Sequence, residues 1–120
     1  MFHCLARCCA DSLVGTDRAR RSRSAWRQAY RALQHGHARA QCTQPTIREF
    51  PPEIGALAIL FVDMQRKRHI ADYDPEGRWN KSEVAEDIDD AANIIDRFEQ
   101  APIRDRRAFA VHVLLQNRKT

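Results

Sequence analysis

Apolar residues recur at intervals of three and four along most of this chain, and nowhere do they alternate with period two over the length of a strand. Five helical segments are predicted on that basis. In residues 1–14, Phe2, Leu5, Cys9 and Leu13 form one stripe, and Gly15 is a plausible C-terminal stop. A second helix, from about Ser24 to Gln41, follows a serine cap and carries Trp26, Tyr30, Leu33, His37 and Ala40 on one face, with Gly36 weakening its middle. Pro51 and Pro52 suit the first turn of a third helix, which runs to about Tyr73 and stops at Asp74-Pro75, since the residue before proline is pushed out of helical geometry. The fourth has the clearest pattern, with Val84, Ile88, Ala91, Ile95 and Phe98 inward, a cap from Asn80 or Ser82, and acids filling much of the remainder. The last, about Ile103 to Asn117, turns Phe109, Ala110, Val113 and Leu114 inward and leaves Val111 and Leu115 for a partner. The fold class expected is all-α, an antiparallel bundle of four to five helices in a single domain spanning 1–120.

Composition narrows this picture without changing it. At 120 residues, 43% hydrophobic and 30% charged, the chain has room for one domain with a core of its own and lacks the signature of disorder. The longest apolar candidate, Ile54 to Met64, is broken by Gly55 and Asp63 and falls short of the roughly 20 residues of a membrane span. No secretory leader is recognised at the start, so a cytoplasmic location and no membrane partner are expected. Cys4, Cys8, Cys9 and Cys42 lack paired metal-ligand spacing and are expected to be free, small buried hydrophobes; no metal or cofactor is expected.

Charge is unevenly distributed. Residues 1–50 carry nine arginines against three acids, whereas 51–120 carry eleven Lys/Arg against thirteen acids, so the first part is +6 and the second −2. A basic half can attract nucleic acid or an acidic partner, and equally can be a solvated surface. There is no glycine-rich phosphate loop, nucleophile elbow or HExxH, and the connection from Cys42 to Pro52 is too long for a helix-turn-helix. His35 and His37 fall on different helix faces with no cluster to complete a metal site; His37 is expected to be a satisfied, semi-buried residue and His112 to play a surface or dipole role.

One arginine stands out. At 100° per residue, Leu57, Phe61, Met64 and Arg68 fall within about 40° of one another, so Arg68 continues a core stripe while Arg66 and Lys67 reach water. A buried guanidinium needs a partner, and Asp72, one turn on, can supply it. Two readings are open: an internal Arg68–Asp72 pair that ends the helix, or an arginine lining a cleft or dimer seam where its donors hold a phosphate.

The segment from Leu60 to Pro75, with Arg68-His69-Ile70-Ala71-Asp72-Tyr73, resembles the Arg-x-x-Ala-Asp-Tyr signature of a HEPN-like family, and the opening Met1-Phe-His-Cys-Leu-Ala-Arg7 resembles the tail of that family's Ala-Tyr-Tyr-Ala-Met-Phe-His helix. The resemblance implies an earlier helix before Met1. It further implies a helical bundle, often dimeric, that binds or cleaves RNA, frequently beside a nucleotidyltransferase-like partner in a toxin-antitoxin pair. Catalytic members carry Arg, four to six residues, then His. Arg68 matches the arginine, but Tyr73 stands after four intervening residues. A phenol titrating near 10 is a poor base at neutral pH where histidine is well placed, which favours binding over catalysis. The resemblance therefore names Arg68 and Tyr73 as candidate catalytic residues, Arg68, Asp72 and His69 as candidate binding residues, and RNA, a nucleotidyltransferase-like protein and a second copy of the chain as partners.

Overall fold

The computed structural model describes the backbone of residues 1–73 and 81–117, and the side chains of 1–67 and 89–117. Among the described residues the fold is all-helical: α1 (Phe2–Val14), α2 (Arg23–Ala32), α3 (His35–Cys42), a 3₁₀ helix (Pro45–Glu49), α4 (Pro52–Tyr73), α5 (Lys81–Gln100) and α6 (Ile103–Leu114). None of the described helices is long and apolar enough to cross a membrane.

Three pairs of helices pack antiparallel: α1 with α2, α4 with α5, and α3 with α6. His3 at the start of α1 meets Tyr30 near the end of α2, while Asp11 near the end of α1 meets Trp26 at the start of α2. The N-terminal turn of α4 lies beside the C-terminal turns of α5, and α3 runs against α6 with His37 at Leu115 and Gln41 at His112. The core joins Leu5 and Cys9 of α1, Ile54, Leu57, Ala58 and Phe61 of α4, Phe98 of α5, and Phe109, Ala110 and Val113 of α6. Phe109 is its hub, taking Phe98 edge-on at 5.8 Å and Phe50 at 5.9 Å, the geometry that opposes the positive edge of one ring to the negative face of another.

The main departure from the sequence pattern is the second helix, expected as one piece from Ser24 to Gln41. Leu33 and Gln34 adopt extended backbone and divide it into α2 and α3. The stripe therefore does not continue: beyond buried Leu33, Ala38 and Cys42 face the core, and Ala40, expected inward, is exposed. A straight helix would have kept α3 in line with α2 against α1; the bend sends it instead across α4 and α6.

Smaller differences have local causes. The buried arc of α1 is broad, taking in Ala6, Cys8, Ala10 and Ser12, because α2 and α6 both cover it, while Leu13 on its last turn is 36% exposed. Ser12 can be buried because its hydroxyl donates back to the Cys8 carbonyl at 2.6 Å. The loop after α3 holds the 3₁₀ turn that buries Ile47. Helix α6 ends at Leu114 rather than Asn117, with Leu115 extended. Its inward set is as expected, and Val111 and Leu115 are exposed. Phe98 is buried and Ala91 and Ile95 are half-buried on α5; the side chains of Val84 and Ile88, the turn Asp74–Asn80 with Trp79, and the cap expected at Asn80 or Ser82 lie outside the described residues.

Candidate nucleic-acid interface

Arg68, His69, Asp72 and Tyr73 occupy the last two turns of α4. Their side chains lie outside the described residues, so the geometry available is that of the turns leading to them. There Asp63 receives Arg66 at 2.9 Å and lies 3.8 Å from Lys67, and Gln65 reaches across to His35 at the start of α3, its Nε2 2.8 Å from the imidazole Nδ1. Phe2 of α1 stacks on His35 at 3.8 Å between ring centroids. The approach to Arg68 is thus built jointly by α1, α3 and α4.

Four of the nine arginines of the first half fall into two groups with different roles. Arg21 is built into the fold: its Nη1 donates to Asp11 Oδ1 at 3.0 Å and to the Gly15 carbonyl at 3.1 Å, and its guanidinium lies 4.5 Å from the centre of the Trp26 ring. Trp26 Nε1 donates to the same Asp11 oxygen at 2.9 Å. The acid therefore fixes the turn between α1 and α2, helped by Gly15, whose φ of 115° favours glycine. Ser22 caps α2 by accepting from the Ala25 amide at 3.2 Å.

Arg23, Arg27 and Arg31 form the second group. Spaced four apart on α2, they make a row about 12 Å long on one face, and all three are exposed. None makes an ion pair or hydrogen bond among the described residues, and with Ser24, Gln28 and Ala32 they line a shallow open groove. Trp26 and Tyr30 border the row on the same helix, their rings stacked at 5.2 Å. This row was missed in the reading by charge balance, although its spacing of four could have disclosed it.

The other candidates resolve into structural roles. His37, half-buried, bonds through Nε2 to the Leu115 carbonyl at 3.0 Å, as expected of a satisfied histidine. His112, expected in a surface or dipole role, sits half-buried in the last turn of α6 and shares a reciprocal clasp with Gln41: its Nε2 meets the Gln41 carbonyl and Gln41 Nε2 donates to the His112 carbonyl, both at 2.8 Å. All four cysteines are free. Burial pushes the Cys42 thiol up to about 12 and raises Cys9 as well, while hydrogen bonding to Cys4 and burial raise Cys8. Cys4, half-buried, goes the other way: the neighbouring Cys8 thiol, with the Arg7 guanidinium 4.0 Å from its sulfur, outweighs burial and lowers it to about 6.

No protein-family model, curated protein or solved structure matches this chain.

Proposed function

We propose that this chain is an RNA-binding helical protein of the HEPN type, holding RNA phosphates through Arg23, Arg27 and Arg31. The supporting observation is the row itself: three exposed arginines, one per turn, without an acid among the described residues to neutralise them. Like charges at i,i+4 destabilise a helix by a few tenths of a kcal/mol per pair, a cost that a polyanion lying along the groove reverses. From Arg31 the chain continues to His35, which bonds to Gln65, three residues before Arg68. In this reading Arg68, His69 and Asp72 extend the contact surface. Where the RNA is cleaved, its 2′-hydroxyl gives up its proton to water and attacks the adjacent phosphorus, the P–O5′ bond breaks to leave a 2′,3′-cyclic phosphate, Arg68 stabilises the developing charge, and Tyr73 donates a proton to the departing 5′-oxygen or orients it.

Fluorescence anisotropy with a labelled single-stranded RNA tests the binding. Replacing all three arginines by glutamine is expected to weaken it at least tenfold and to lower the slope of log affinity against log salt by roughly two, at about 0.7 per lost phosphate contact. Unchanged affinity would reject the interface. For cleavage, cutting of RNA in EDTA by the native chain and not by a folded Arg68→Ala variant would establish a metal-independent ribonuclease centred on that arginine, and cutting by neither leaves binding alone; a marked drop in melting temperature with Arg68→Ala would favour the internal Arg68–Asp72 pair instead.

A second reading, a non-catalytic protein-interaction module, draws on Val111 and Leu115, which stay 44% and 59% exposed on the last turn of α6 and just beyond it. They would serve contact with a second copy or a nucleotidyltransferase-like partner. Light scattering of the purified chain tests the homodimer.

A further inference from the structure

Cys4 and Cys8 stand one turn apart on the same face of α1, a different helix from the arginine row, and their thiols are hydrogen-bonded to each other. They differ in access. Cys4 is half-buried, with its sulfur 4.0 Å from Nη2 of the exposed Arg7, whereas Cys8 keeps only 4% of its surface open. A reagent from solvent therefore meets Cys4 first. The other two cysteines are shut off: Cys9 is fully buried, Cys42 is 5% exposed, and burial raises both thiols. A thiol that donates to its neighbour's sulfur stabilises the thiolate there, and an adjacent guanidinium adds to the effect, so both favour the nucleophilic form. The Cys8 hydrogen bond and Arg7 together outweigh burial and the Glu99 carboxylate of α5, and hold the Cys4 thiol at about 6.

We propose that Cys4 is a site of reversible oxidation by hydroperoxides and that Cys8 is its resolving thiol. In the first step the Cys4 thiolate attacks the hydrogen-bearing oxygen of the peroxide and the O–O bond breaks. The other oxygen leaves with the electron pair, takes a proton from water and departs as an alcohol, or as water when the oxidant is hydrogen peroxide; Cys4 is left as a sulfenic acid. In the second step the Cys8 sulfur attacks the sulfur of that acid, the S–O bond breaks, and hydroxide leaves with the Cys8 proton as water. One peroxide is reduced and two thiols become one disulfide. The hydrogen bond between the thiols sets Cys8 in place before the acid forms. Closing the bond asks more of the backbone: Cβ atoms four residues apart on a helix are about 5–6 Å from each other, against about 3.5–4.5 Å in a bridge. Oxidation therefore loosens α1 between Cys4 and Cys8, and a reductant that restores the thiols restores the turn.

The experiment treats the full chain at pH 7 with a small excess of hydrogen peroxide and follows its intact mass. Wild type is expected to lose two hydrogens while staying a single chain, and to recover them with dithiothreitol. Tryptic cleavage after Arg7 is then expected to leave the peptide of Cys4 joined to the peptide that begins at Cys8. Cys9→Ala is expected to give the same result, which assigns the partner as Cys8. Cys8→Ala is expected instead to gain one oxygen atom, trapped on Cys4 by dimedone. Cys4→Ala is expected to react at least about tenfold more slowly, because the thiols that remain are buried. Circular dichroism establishes that each variant is folded before oxidation, and the wild-type and Cys9→Ala peptide maps decide the matter should Cys8→Ala not fold. A native chain that keeps its mass under conditions that oxidise the denatured one overturns the proposal. So does a sulfenic acid on Cys4 that persists with Cys8 present, or a bridge that forms only between two chains.

Discussion

Asp11 illustrates how much a single side chain carries in this protein. One of its oxygens accepts from both Arg21 and Trp26, and Arg21 in turn reaches the Gly15 carbonyl, so a single carboxylate ties the turn after α1 to the start of α2. Asp11→Ala leaves both donors without that acceptor. Because the pair is only partly buried, the expected loss is roughly 1–3 kcal/mol, read as a lower denaturation midpoint. Cys4 offers a second measurement at this scale. Its thiol is lowered to about 6 while Cys8, Cys9 and Cys42 are raised, so at pH 7 iodoacetamide is expected to label Cys4 first, with half-maximal rate near pH 6. The sign for stability follows. A folded-state pKa below the unfolded value means that Cys4 contributes stability that is full above the ordinary thiol range and is lost as pH falls through about 6. Labelling that titrates with an ordinary midpoint in both native and denatured chains would contradict this. None of this was legible in the sequence, where Cys4 and Cys8 look alike.

At the scale of elements, the division of α2 from α3 determines where the functional surface lies. The extended Leu33–Gln34 pair buries Leu33 and redirects α3, so His37 and Gln41 meet the last turn of α6 and its terminal carbonyls instead of joining a stripe against α1. Propensity supplies a weak signal for a break through Gly36, yet Gly36 is the second residue of α3 rather than the breakpoint. A side chain there would meet nothing within 4 Å. Gly36→Ala is thus expected to stabilise the protein by about 0.5–1 kcal/mol, raising the melting temperature by a few degrees, without altering the His37 and Gln41 contacts. A lower melting temperature would indicate that the glycine serves the bend itself.

For the whole molecule, the charge asymmetry of the sequence becomes a spatial one. Among the nine arginines of residues 1–50 the fold sets a built-in one, Arg21, apart from an open row, Arg23, Arg27 and Arg31. Among the described residues the row carries no ion pair, so it is open to a ligand, whereas Arg21 is not. Electrostatic attraction through such a row falls as salt rises, so RNA binding and its loss in the glutamine variant should both be most pronounced at low ionic strength. The Asp63 carboxylate, shared by Arg66 and Lys67, tempers the positive charge on the approach to Arg68.

The helical class, the spans of α1 and α4, the inward set on α6 and the free cysteines follow from the sequence alone, because a period near 3.6 and the burial of apolar stripes are local rules that each segment obeys independently. So does the position of Arg68 on the last turns of a long helix. Tertiary structure decided what no local rule contains. It bent the second helix, buried Ser12, clasped His112 to Gln41, and separated Arg21 from the arginines that follow it. Each of these depends on which distant group supplies an acceptor or covers a face, and identical side chains a few residues apart meet different neighbours once the helices pack.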